Sequence, residues 1–88
     1  MIFLHEMKEN KMVYTFGKVT KILDKNTYII TYNDTSLELF SDKPLKVDEW
    51  IKFYGMYKDN IFIPKFIINI TGCDINLLVK SIFYLRNE

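Results

Sequence analysis

The stretch Met12–Leu23, MVYTFGKVTKIL, is filled with β-branched and aromatic residues. Side chains of this kind suit a pleated, half-buried surface, so the stretch predicts a long first strand. Gly17 interrupts the pattern. An isolated glycine within a strand pattern implies a bulge or sharp bend.

The neighbouring segments extend this reading. Asp24-Lys25-Asn26 has turn chemistry, and Thr27–Asn33 (TYIITYN) reads as a second strand. Asp34-Thr35 turns the chain into Ser36–Phe40 (SLELF), with leucines at alternate positions. Ser41–Glu49 is polar and carries Pro44, so it is a loop. Trp50–Tyr57 (WIKFYGMY) is a fourth strand with Gly55 near its end. After the tight turn Asp59-Asn60 comes a fifth, Ile61–Thr71. Pro64 removes a ladder donor from that strand and implies an edge or bulge position. Gly72 breaks the chain, and Asp74 is placed to cap a helix from Ile75 to Arg86. Five short strands and one helix suit a small all-β barrel with a C-terminal helix, and the five-stranded member of that class is the oligonucleotide-binding (OB) fold. The expected organisation is a flexible N-terminal arm over residues 1–11, a barrel over 12–71 and the helix over 74–86.

Composition narrows the function. The chain of 88 residues is long enough for one domain, and 49% hydrophobic with 16% aromatic residues excludes a disordered tail. Twelve basic against eleven acidic residues leave a net charge of +1, too little for binding driven by bulk charge. A domain this small is marginal alone and is usually supplemented by disulfides, metals or a partner. Cys73 is the single cysteine and His5 the single histidine, so a partner chain is the remaining supplement. The lone thiol suits a reducing compartment, with Cys73 expected as a small apolar filler. No apolar run approaches the roughly 20 residues of a membrane span, and MIFLHEMKEN lacks the apolar core of a signal peptide. A soluble, intracellular chain is expected.

The helix carries the sharpest pattern. Ile75, Leu78, Ile82 and Leu85 follow heptad spacing, with Val79 and Phe83 beside them. Together these six cover roughly 160° of the helix surface. Leu77 and Tyr84 fall on the opposite side, near Lys80. Either the helix plugs one end of the barrel, or one flank packs on the barrel and the rest enters a bundle with partner helices.

Three segments resemble the smallest subunit of replication protein A, the heterotrimeric eukaryotic single-stranded DNA-binding complex. Val13–Ile22 (VYTFGKVTKI) is similar to its first strand. Ser36–Phe40 and Trp50–Met56 are similar to its apolar-Glu-apolar strand and its later strand ending in glycine, here Gly55. Cys73-Asp74-Ile75-x-Leu77 resembles its aromatic-Asp-Leu-x-Leu helix opening, with Cys73 standing in the aromatic position. The smallest subunit of the telomeric single-strand-binding trimer has similar architecture and stays open beside it. The resemblance implies a nuclear assembly subunit, without cofactor, acting in DNA replication and repair. Its partners would be the middle and large subunits, held through a helix bundle. Ile75, Leu78, Val79, Ile82, Phe83 and Leu85 would form the assembly surface, and single-stranded DNA would be contacted mainly through the partners.

Catalytic patterns are absent. Gly17, Gly55 and Gly72 are too far apart for a phosphate loop, and His5 lies in the expected arm. Asp48-Glu49 reads as a solvated loop pair, so the chain is not expected to be an enzyme. Single-strand binding needs aromatic faces and nearby cations. If Val19, Ile51 and Phe53 face inward, alternation turns Lys18, Lys52 and Tyr54 outward, making them candidate DNA contacts. Tyr28, Tyr32 and Lys21 join that surface if bulges fall suitably. An autonomous OB-fold nucleic-acid binder and a small interaction module without a nucleic-acid role are the remaining alternatives.

Overall fold

A computed structural model describes residues 1–86. Five strands close into a barrel in the order β1-β2-β3-β5-β4: β1 Met12–Asp24, β2 Thr27–Tyr32, β3 Thr35–Phe40, β4 Trp50–Lys58 and β5 Ile61–Asn69. Helix α1, Ile75–Arg86, follows the barrel. This is the five-stranded OB barrel expected from the strand pattern.

The length of β1 makes closure possible. Its first half, Met12–Lys18, pairs antiparallel with β4, and its second half, Lys18–Asp24, pairs with β2. Among the five described strands only β3 and β5 pair in parallel, through Leu39 and Phe62. Alternate residues of β4 point inward, and Ile51 and Phe53 join Val19, Ile30, Leu39 and Phe62 in a core without solvent contact. A T-shaped ring pair, Phe53 and Phe62 at 4.8 Å, fills its centre.

The two strand glycines act differently from each other. Pairing with β4 runs without interruption through Gly17, so this residue makes no bulge there. The irregularities of β1 fall further on, between Val19 and Lys21 and between Ile22 and Asp24. Gly17 is required by close approach, because a Cβ there would lie 2.5 Å from Ile30 Cγ2. Gly55 sits at a true bulge: the β4–β5 register slips between Tyr54 and Gly55, opposite Pro64. A Cβ at Gly55 would lie 2.2 Å from the Ile63 carbonyl oxygen. Pro64, which has no N–H, occupies the bulge as its sequence position implied.

Of the N-terminal eleven residues, expected as a flexible arm, the first seven lie packed on the barrel. Phe3 and Leu4 are buried, Leu4–Glu6 forms a 3₁₀ turn, and Ile2 N–H donates to the Tyr14 carbonyl. Leu4 enters the barrel core. Phe3 nucleates a second cluster with Phe16, Ile70 and Ile82, into which Tyr32 and Trp50 pack. The segment holds because two large apolar side chains three residues into the chain find a pre-formed apolar wall.

Candidate functional site

Helix α1 begins as its sequence suggests. Gly72 takes a φ of 93°, and Asp74 Oδ1 accepts a hydrogen bond from Leu77 N–H at 3.1 Å, capping the first turn. Cys73, expected in the core, is exposed, because it stands in the turn one residue before the cap.

The docking of α1 divides the six residues expected to face partners. Ile82 is only 5% exposed, and Ile75, Leu78 and Val79 are half-buried against the second cluster. Of these four, expected on a partner surface, Ile82 is buried in the chain's own core and the other three pack partly against it. Phe83 and Leu85 remain exposed. Phe83 leans on Phe3 at 5.3 Å between ring centroids. The open stripe is Leu77, Ser81, Tyr84 and Leu85, with Leu77, Tyr84 and Leu85 each more than 60% exposed. Leu77, Ser81 and Tyr84 are four and three residues apart, a heptad seam in its own right. Their position opposite the larger apolar arc was legible in the sequence. That the larger arc would be consumed by the barrel was not.

The end of α1 is latched. Arg86 makes a bidentate pair with Glu6, at 2.6 and 2.9 Å, donates to the Met1 carbonyl and lies 5.2 Å over the Phe3 ring. The hydrogen bonds from Arg86 and from Phe3 N–H hold the Glu6 carboxyl at about 2, against an ordinary value of 4.5.

A second surface forms on the barrel. Val19, Ile51 and Phe53 are fully buried, so Lys18, Lys52 and Tyr54 lie on the outward side, each half-buried. The structure brings Lys52 and Tyr54 together around Tyr14. Lys52 Nζ lies 5.9 Å over the Tyr14 ring, and Tyr14 and Tyr54 meet edge-to-face at 6.2 Å. Lys18 stands apart, 3.5 Å from Asp48. Tyr28 and Tyr32 do not join this surface. Tyr28 is buried, with its hydroxyl accepting from Leu45 N–H, and Tyr32 stacks on Phe3 at 5.7 Å. Lys21 is exposed. Phe66 was missed in the sequence: it completes the aromatic group, 5.6 Å from Tyr54 and 5.9 Å from Tyr14.

The acidic pair in the loop is structural. Asp48 meets Lys18, and Glu49 accepts from Lys46 N–H and from the Asn69 amide. Among the described residues no His, Cys, Asp and Glu group has metal-ligand geometry, and no helix is long and apolar enough to cross a membrane.

No protein-family model matches the sequence, and no curated protein matches it. Solved structures do. The telomere capping protein Ten1 from S. pombe superposes with a TM-score of 0.82 at 14% identity, over 99% of this chain and 96% of its own. A chain of the S. pombe Stn1–Ten1 complex superposes with a TM-score of 0.81 at 15% identity, over 98% of this chain and 90% of its own. At such identities the likeness establishes the fold, C-terminal helix included.

Proposed function

We propose that this chain is the small OB-fold subunit of a telomeric single-strand-binding complex, a non-enzymatic assembly subunit acting in the nucleus. The observation that carries this reading is the end-to-end likeness to Ten1, in which neither chain has a substantial segment left over. A Stn1-type OB-fold protein is the corresponding partner, since a chain of the Stn1–Ten1 complex is also a structural neighbour. The open stripe Leu77, Ser81, Tyr84 and Leu85 supplies an apolar helical seam for it, and exposed apolar seams of this kind mark interaction surfaces. The replication protein A reading shares the architecture and assigns other partners to the same helix.

The test is purification of the tagged chain from its own cells, with identification of the bound proteins by mass spectrometry. A Stn1-like OB-fold protein is the expected companion. Recovery of the middle and large subunits of replication protein A would replace the telomeric reading. Tyr84→Asp is expected to abolish the association. Undiminished recovery of the partner with that variant would remove the helix seam from the interface.

A further inference from the structure

The outer face of β1, β4 and β5 has an order that the assembly role does not use. Register pairing lines up Tyr14, Tyr54 and Phe66 in one row across the three strands. Met12, Met56 and Ile63 form the row on one side, and Lys52 with Ile68 the row on the other. Phe66 stacks on Tyr54 with one side of its ring and is still 45% exposed, an unusual exposure for a phenylalanine. The bulge opposite Gly55 inserts Lys65 beside Phe66 and leaves it exposed.

Charge on these strands is one-sided. Over Met12–Lys18, the half of β1 that pairs with β4, and over Trp50–Lys58 and Ile61–Asn69 there are four lysines and no aspartate or glutamate, in a chain whose net charge is only +1. Of these, Lys18 is paired with Asp48. Lys52 and Lys65 take part in no ion pair among the described residues. Exposed rings bordered by unpaired cations are the requirements for binding a single strand, whose bases stack on rings while its phosphates meet the cations. Lysine is depleted from the cores of protein–protein interfaces, which disfavours a protein occupant.

The face that OB barrels commonly use, on strands 2 and 3, is built otherwise here. Thr20, Thr31 and Ser36 tie it together through hydroxyl hydrogen bonds of 2.9 and 2.8 Å, and Glu38 places a carboxylate opposite Ile29. Lys21, Ile29 and Glu38 share one row across it, so this row carries one charge of each sign.

We propose that single-stranded nucleic acid binds across the outer face of β1, β4 and β5, bases stacking on Phe66, Tyr54 and Tyr14 and phosphates meeting Lys52 and Lys65. The choice of DNA as its natural ligand rests on the function proposed above; the site itself rests on the face.

The test is fluorescence anisotropy of a labelled oligothymidylate titrated with the full chain at low salt, with thermal melting as the folding control. Phe66→Ala is expected to weaken binding about 10- to 100-fold, the usual loss for a stacked base. The double variant Lys52→Glu, Lys65→Glu, which removes no packed ring, is expected to weaken it at least as much and to lower the slope of log affinity against log salt by about 1–2. Tyr84→Asp on the helix is expected to bind normally. Absence of binding by the wild-type chain overturns the proposal whatever proteins co-purify with it. Normal binding by the lysine variant overturns it equally. Loss of partner association by the lysine variant, with oligonucleotide binding intact, makes this face a protein interface instead. Binding that follows the predictions stands even if the co-purifying partners are not those of a telomeric complex.

Discussion

The helix seam and the sheet face are both apolar and exposed, yet they differ in what borders them. Leu77, Tyr84 and Leu85 lie on one element, spaced by helical turns, with Lys80 as the nearby charge. Tyr14, Tyr54 and Phe66 come from three strands and are bordered by Lys52 and Lys65, with Asp42 and Lys43 at the far edge beside Phe66. A helical seam fits another helix because ridges fill grooves at fixed spacing. A cationic aromatic row fits a flexible polyanion because rings accept any base and cations accept any phosphate. Exposed apolar side chains on a helix and on a sheet thus suit different kinds of partner, and the neighbouring charges distinguish them.

The strongest way to break this comparison is to attack the inner side of α1. Ile82→Asp removes a buried side chain and places a carboxylate among Phe3, Phe16 and Ile70. A loss of about 3–5 kcal/mol is expected, seen as a lower urea midpoint and reduced helical circular dichroism. Tyr84→Asp, two residues away on the outer side, is expected to shift stability by less than about 0.5 kcal/mol while abolishing partner association. Equal stability losses for the two variants would mean that α1 docks by another face.

Gly55→Ala probes the sheet face alone. The new methyl group meets the Ile63 carbonyl and Pro64 Cα, which are backbone atoms with no rotamer to yield. A destabilisation of about 2–3 kcal/mol is expected by denaturant titration. The surviving folded chain should bind an oligonucleotide less well, because Lys65 and Phe66 leave their register with Tyr54. Wild-type stability would show that the β4–β5 strand spacing adjusts freely.

The smallest effect concerns the latch. The folded-state pKa of Glu6 is depressed from 4.5 to about 2. Its stabilisation is therefore fully present above about pH 5 and is lost as pH falls from there toward 2. Both side chains of the Glu6–Arg86 pair keep about a third of their surface in water, so solvent screening limits the contribution to about 1 kcal/mol. Glu6→Gln should lower Tm by a few degrees at pH 7, and the difference from wild type should vanish near pH 2. A difference that persists at pH 2 would mean that packing of the 3₁₀ turn, and not its charge, was lost.

Much of the barrel follows from local sequence. Period-two alternation in WIKFYGMY and TYIITYN, turn residues between the strands, and Asp74 ahead of an apolar heptad each act within a few residues, so strands, turns and helix could be located. Heptad spacing likewise located the apolar arc of α1, while leaving open whether a barrel or a partner covers it. Three things depended on contacts between residues far apart in the chain. Phe3 and Leu4 carry no periodicity; the apolar wall of Phe16, Ile70 and Ile82 gives Phe3 its place, and the barrel core gives Leu4 its place. The helix presents apolar side chains all round, so its rotation against that wall, and not its pattern, leaves Leu77 and Tyr84 outside and takes Ile82 in. The row of Tyr14, Tyr54 and Phe66 exists because β1 and β5 both pair with β4 and because a bulge at Gly55 restores their alignment. Alternation determines which side of a strand a residue takes; neighbourhood across strands is decided by register, which only the closed sheet supplies.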